Sequence, residues 1–219
     1  MKLFSKTTLS CLMLVPALLA AQTFTGDPDP NIDITDDGCA MPQTHIITVA
    51  GVGTIDGTSG LEQVCINFTH DYVADLDIYL IAPDNTTVQL TTDNGGSGDN
   101  FTNTCFNQTA AASITLVGSA DAPFTGSYLP EGSLGTVNNG QDANGDWVLQ
   151  FCDDRLSTGG NGTLDSWSLT FSNNPATPPL PPANNDCANA QLLSVGDDAT
   201  CTTTAGTNLD ATNSGETPA

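Results

Sequence analysis

Basic residues are what this sequence most lacks. Lys and Arg together number three, against 25 Asp and Glu. Two of the three, Lys2 and Lys6, sit in the first 21 residues, which have the form of a secretory signal peptide: a basic start, an apolar run over Leu9–Leu19, and Ala20-Ala21 before Gln22. Cleavage there leaves Arg155 alone against every acid in the chain. Nucleic acid binding draws on Lys and Arg to displace phosphate counterions, so nucleic acid is excluded as a partner, and anionic membrane surfaces with it. Also lacking is a second long apolar run. The apolar part of the leader is too short for a span, and no later stretch reaches the ~20 apolar residues that crossing a bilayer takes. No window repeats apolar residues at helical spacing, and no Cys-x-x-Cys occurs to suggest zinc.

Seven cysteines are present, and Cys11 leaves with the leader. An even set remains, Cys39, Cys65, Cys105, Cys152, Cys187 and Cys201, which in an exported chain reads as disulfides. If Cys187 pairs with Cys201, the other four form two bridges in one of three arrangements. The acids have almost no internal cations to meet, so they are solvated or share bound ones. Calcium, which prefers carboxylate and carbonyl oxygens, is the natural candidate.

The strongest pattern lies at 144–171. It holds both tryptophans, and each opens a W-x-L-x-F run: Trp147, Leu149, Phe151 and Trp167, Leu169, Phe171. Period two puts each trio on one face of a half-buried strand. Upstream, strands are expected at 46–50 and 61–69, then a hairpin of V-A-D-L-D-I-Y-L-I and T-V-Q-L joined by P-D-N-T. In that hairpin Leu76, Ile78 and Leu80 take one face, and Asp75, Asp77 and Tyr79 the other. Residues 92–100 read as a Gly-rich loop and 113–117 as a short strand. A long turn region then leads to Trp147. Short strands between Gly, Asn, Asp and Pro clusters specify an all-β sandwich or barrel.

Composition divides the chain. Residues 22–44 are an acidic, extended lead-in tied down by Cys39; the β domain occupies 45–173; 174–183 is a Pro-rich linker. Residues 184–219 start a second module too short for its own core, so the chain is expected to be a fragment.

The segment H-D-Y-V-A-D-L-D-I-Y-L-I-A-P-D-N-T-T-V-Q-L resembles the H-T-Y-x-G-D-L-x-I-x-L-x-S-P-x-G-T signature of the P domain, or Homo B domain, of kexin- and furin-like convertases and bacterial subtilisin-like proteases. His70, Tyr72, Asp75, Leu76, Ile78, Leu80, Pro83, Thr86 and Leu90 fall on matching positions, and both Trp segments resemble the family's closing motifs. The sequence departs at Ala74 and Asn85, where Gly is usual. The N-N-D-C-A-N-A tail looks like repeat modules of large exported Bacteroidetes proteins. The resemblance implies a jelly-roll sandwich that stabilises an adjoining protease and in some members binds calcium. It also implies a family association with serine-type endopeptidase activity and proteolysis.

The residues themselves do not supply that chemistry. Gly57-Thr58-Ser59-Gly60 has the look of a nucleophile motif, but a strand rather than a helix comes after it, and no partner motif is present. The expected role is a non-catalytic accessory domain whose partner is an adjoining or separate protease or another extracellular protein. The alternatives are a glycan- or protein-binding adhesion module, marked by an exposed Tyr79 or Tyr128, and a fragment of a secreted serine endopeptidase. Candidate calcium ligands are Asp75, Asp77, Asp93, Asp99, Asp153 and Asp154. Trp147 and Trp167 are assigned to the core.

Overall fold

In the computed structural model, residues 21–27, 31–156 and 162–180 are described. The signal segment, Cys187, Cys201 and the second module lie outside them. Among the described residues eleven strands form two sheets, and the helical segments are short 3-10 turns. The strands are β1 Gln22–Gly26, β2 Ile32–Asp33, β3 Gln43–Val49, β4 Gly60–His70, β5 Leu76–Ile81, β6 Thr87–Thr91, β7 Phe101–Asn107, β8 Ala112–Ser113, β9 Phe124–Leu129, β10 Gly145–Asp153 and β11 Gly162–Ser172. The larger sheet runs β1-β11-β4-β7-β9-β8, with β2 also on β11; the smaller runs β3-β10-β5-β6. The fold is an all-β sandwich of two sheets.

The two W-x-L-x-F strands belong to opposite sheets, β10 to the smaller and β11 to the larger, and meet face to face. Trp147 touches Phe171 edge-on at 5.4 Å between ring centroids. Phe68 of β4 meets Phe151 of β10 in the same manner at 5.3 Å. Both tryptophans are fully buried. The alternation therefore works as period two requires: each strand gives its apolar trio to one shared core.

One polar contact also crosses the core. Trp167 Nε1 donates to His45 Nδ1 of β3 at 2.8 Å, so Nδ1 carries no proton. Burial lowers the His45 pKa from its ordinary value. A histidine depressed in the folded state binds fewer protons than in the unfolded chain, so its contribution is present above ~6.5 and is lost as pH falls below that. We expect the melting temperature to fall faster below pH 6.5 in the native chain than in His45→Asn, whose side-chain oxygen can still accept from Trp167. Parallel melting curves from pH 8 to 5 would show no such difference if the contact were idle.

Five expectations are corrected. The segment at 22–44 is not merely a lead-in: β1 pairs with β11 from Gln22↔Phe171 to Gly26↔Trp167, and β2 continues along the same edge. The strand placed at 73–81 begins only at Leu76, because Val73–Asp75 form a 3-10 turn. The 113–117 strand is instead β8 followed by a 3-10 turn over Ile114–Leu116, set by Ser113 Oγ accepting from Thr115 N. The turn region before Trp147 contains β9, which pairs in parallel with β7. The Pro-rich stretch also begins as part of the domain. Ala176 is buried, donates to the Leu61 carbonyl and accepts from Asn138 Nδ2. A side chain at Gly135 would collide with the Thr177 carbonyl, so glycine there lets the run dock.

The two bridges among the first four cysteines are Cys39–Cys152 and Cys65–Cys105. The first ties the segment before β3 to β10. The second joins directly opposed residues of β4 and β7.

Candidate functional site

The inward alternation of β10 does not stop at Phe151. Trp147, Leu149, Phe151 and Asp153 all point into the sandwich, so the strand ends on a buried carboxylate, 1% exposed. Strand β4 ends nearby on His70, fully buried. His70 Nδ1 accepts the Tyr72 backbone N–H at 3.1 Å, which places the ring proton on Nε2, 3.2 Å from Asp153 Oδ2. Asp153 Oδ1 accepts from Arg155 N at 2.9 Å, and the Asp153 carbonyl accepts from Cys39 N at 3.1 Å. Both nitrogens of the imidazole are used and the ring is sealed. The ring joins the end of β4 to the end of β10.

Arg155 extends this cluster outward. Its Nη1 stands 3.7 Å from Asp75 Oδ1, and its guanidinium lies over the Tyr72 ring at 5.6 Å. Asp75 is 5% exposed, and its other oxygen, Oδ2, is buried with no hydrogen-bond partner. Burial raises the Asp75 pKa, with Asp153 adding to the rise, while Arg155 and His70 oppose it.

A second acidic group lies on the outside. Asp77 projects from β5 opposite Cys152. Burial and then the charges of Asp154, Asp93 and Glu131 push its pKa up to about 6. Asp154 is raised by burial and by Asp93 and Asp75. Glu131 accepts from Thr92 N, Gln89 Nε2 and Asn94 Nδ2, and so fastens the loop after β9 to the edge strand β6.

Of the six aspartates expected to be ligands, Asp75 and Asp153 thus share the inner cluster, and Asp77, Asp93 and Asp154 share the outer field. Asp99 is exposed on the loop before β7, outside both. Neighbours in sequence part company here, since Asp153 is buried and Asp154 exposed. Glu131 escapes a reading of the sequence because its partners lie some forty residues away, with no local pattern to announce it.

The donor set, carboxylate oxygens with one buried oxygen unpartnered, suits a hard cation. Among the described residues, three donor-type side chains come within 4.8 Å only where Asp77 meets Cys39 and Cys152. Those sulfurs are spent in a disulfide, so the triplet is no thiolate site. A cation held here would rely on Asp77, Asp93 and Asp154 for charge. Of the two tyrosines considered as platforms, Tyr128 packs against the core, and Tyr79 stands half-buried on the outer face of β5.

The family model of the proprotein convertase P-domain matches residues 62–171. A transglutaminase-activating metalloprotease from Streptomyces mobaraensis is 30% identical over 140 residues, covering 64% of this chain and 14% of that protein. Leupeptin-inactivating enzyme 1 from Streptomyces exfoliatus is 30% identical over 152 residues, covering 68% of this chain and 26% of its own length. Among solved structures, the serine protease of Aeromonas sobria aligns with TM-score 0.40 at 19% identity, over 72% of this chain and 28% of that one. Its complex with a chaperone aligns at 0.41 and 19%, over 71% and 27%. The chain therefore matches only about a quarter or less of each curated relative's length. On the match over 62–171, this chain belongs to the proprotein convertase P-domain family.

Proposed function

We propose that the chain is a non-catalytic accessory domain of an exported protein, one that stabilises a protease or presents substrate to it. The observation that carries this is the state of His70. The family's histidine is fully buried, with both ring nitrogens engaged by Tyr72 N and Asp153. It holds the end of the sandwich closed, and closure of a rigid, disulfide-stapled module is a supporting role. Two curated relatives named for a metalloprotease and a leupeptin-inactivating enzyme carry the matched stretch as a minor part of a longer chain, in keeping with such a module.

A fluorophosphonate probe, which labels active serine hydrolases, tests the reading. An affinity-tagged chain isolated from its native exported fraction should bring down a labelled protease. That protease should lose activity faster at elevated temperature once the chain is removed. Label on the chain itself would make it an enzyme, and absence of any protease stabilised by it would end the accessory reading.

We also propose calcium as a ligand of the outer acidic group. The support is the like-charge field that Asp77, Asp93 and Asp154 share, only partly offset by Arg155 at Asp154, and the buried, unpartnered Oδ2 of Asp75, whose charge also acts on Asp154. At pH 7 and without metal, Asp77→Asn should stabilise the fold, because it removes the cost of burying the carboxylate charge and the like-charge repulsion around it; solvent screening limits the gain to ~1 kcal/mol at most. The sign comes from the raised pKa: the native state binds more protons than the unfolded chain between ~4 and 6, so the gain shrinks as pH falls through that window. Calcium should raise the melting temperature of the native chain and not of Asp77→Asn. A melting temperature indifferent to calcium and to chelator removes the metal from the account.

A further inference from the structure

The two outer faces of the sandwich are built differently. On the larger sheet, the rung Thr25–Ser168–Cys65–Cys105–Ser127 and the rung Thr23–Thr170–Gln63–Asn107 offer hydroxyls, amides and a disulfide. That is the ordinary polar side of an antiparallel sheet with one face in water. The smaller sheet breaks the rule. Its rung Ile46–Val148–Ile81 sets three β-branched apolar side chains abreast across β3, β10 and β5. Ile46 is 49% exposed and the other two are part-exposed. The next rung, Thr44–Gln150–Tyr79–Gln89, puts the Tyr79 ring alongside. Neighbouring strands lie about 4.8 Å apart, so the apolar strip is about 10 Å wide.

Carboxylates close both ends of this strip. At one end Asp146 faces Thr48, whose hydroxyl donates to it at 2.7 Å. At the other stand Asp77 and its neighbours Asp154, Asp93 and Glu131. Six residue steps along β10 separate the Asp146 rung from the Cys152–Asp77 rung, about 20 Å at strand rise. We propose that this face docks a cationic, amphipathic polypeptide that lays apolar side chains along the strip and places Lys or Arg at each end.

Charge complementarity chooses this occupant. The acids gathered at the Asp77 end repel one another, and the one Lys or Arg outside the leader, Arg155, is engaged at Asp75. A second copy of the chain would bring acids onto acids. A neutral partner would cover the strip but leave the carboxylates at its ends desolvated and unanswered. Opposite charge at the rim speeds and aligns encounter, and the apolar middle holds what arrives. The inference rests on the accessory reading only in that such a domain needs a partner face; its test does not involve a protease.

The probes are three synthetic thirteen-residue peptides, alternating Lys with Ile, Lys with Ser, and Glu with Ile. Fluorescence anisotropy at physiological salt, with chelator present so that no calcium competes at Asp77, should show the Lys/Ile peptide binding the purified chain at least ten-fold tighter than either control. Ile46→Thr with Val148→Thr keeps β-branched, outward-facing side chains, and its melting temperature checks that the fold is intact. That double variant should lose at least ten-fold. Asp77→Asn with Asp146→Asn should lose several-fold and flatten the salt dependence. Equal binding of Lys/Ser would reduce the interaction to charge alone, equal binding of Glu/Ile to apolar contact alone, and either overturns the proposal. So would unchanged affinity in the threonine variant, absence of binding, or a wild-type dimer in sedimentation that the threonine variant abolishes.

Discussion

Trp147→Ala is expected to destabilise the fold by ~3–5 kcal/mol, the range for deleting a large buried aromatic. The side chain is fully buried. Its loss opens a cavity against Phe171, whose ring belongs to the opposite sheet and cannot follow without moving β11. The substitution also removes the indole N–H that donates to the Ala143 carbonyl at 2.9 Å, leaving a buried acceptor unanswered. Domains of this size have ~5–15 kcal/mol in hand, so the variant should sit near the threshold of folding. Urea unfolding separates the two parts. Trp147→Phe keeps most of the ring and loses the N–H, so it should cost about 1–3 kcal/mol. Equal losses for Ala and Phe would mean that the hydrogen bond, not the packing, dominates.

The second large effect is expected at Asp153→Ala. This carboxylate receives the His70 ring and the Arg155 amide, and both donors are left without it when the side chain is cut back. Hydrogen bonds to a charged group contribute ~1.5–3 kcal/mol each, so the expected loss is ~3–5 kcal/mol. Asp153→Asn retains one acceptor oxygen and should lose about half as much. His70→Ala should lower stability by less than Asp153→Ala, since one buried carboxylate contact survives in Arg155 N. The double variant should cost less than the two singles combined, because they remove a shared bond. Additive costs in a denaturant-based mutant cycle would show that the two side chains act independently.

Much of the fold is legible in the sequence because period two leaves little freedom. Trp147, Leu149 and Phe151 can face the same core only as a strand, and the P-D-N-T turn marks the separate β5–β6 hairpin through Asn85, which takes positive φ (70°). Strands that alternate poorly are not legible. In β9, Phe124 is the only fully buried residue, Gly126 has no side chain, and the pairing with β7 is parallel, so nothing local distinguishes it from a turn. The same rule, carried two residues further, reaches the inner site: after Phe151 the next inward position is Asp153. Asp75 is less accessible to reasoning, since the 3-10 turn that buries it breaks the alternation of β5 just where it starts. Charge repulsion at Asp77 arises from residues spread between β5, the 93 loop, Glu131 and Asp154, a gathering that only the tertiary fold performs.

The pairing of β1 with β11 bears on how the domain carries load. Gln22 and Phe171 are direct partners, so the first and last strands meet at one end of the sandwich. Tension applied through the two ends of the domain would act on a single rung at a time, in the unzipping direction, and peel β1 away at low force. The peel cannot run far. At Cys39 it meets the bridge to Cys152, which shunts the force past β3–β10 and leaves the region between them unloaded. Under pull, the module would yield a short N-terminal slack before the bridge takes the load.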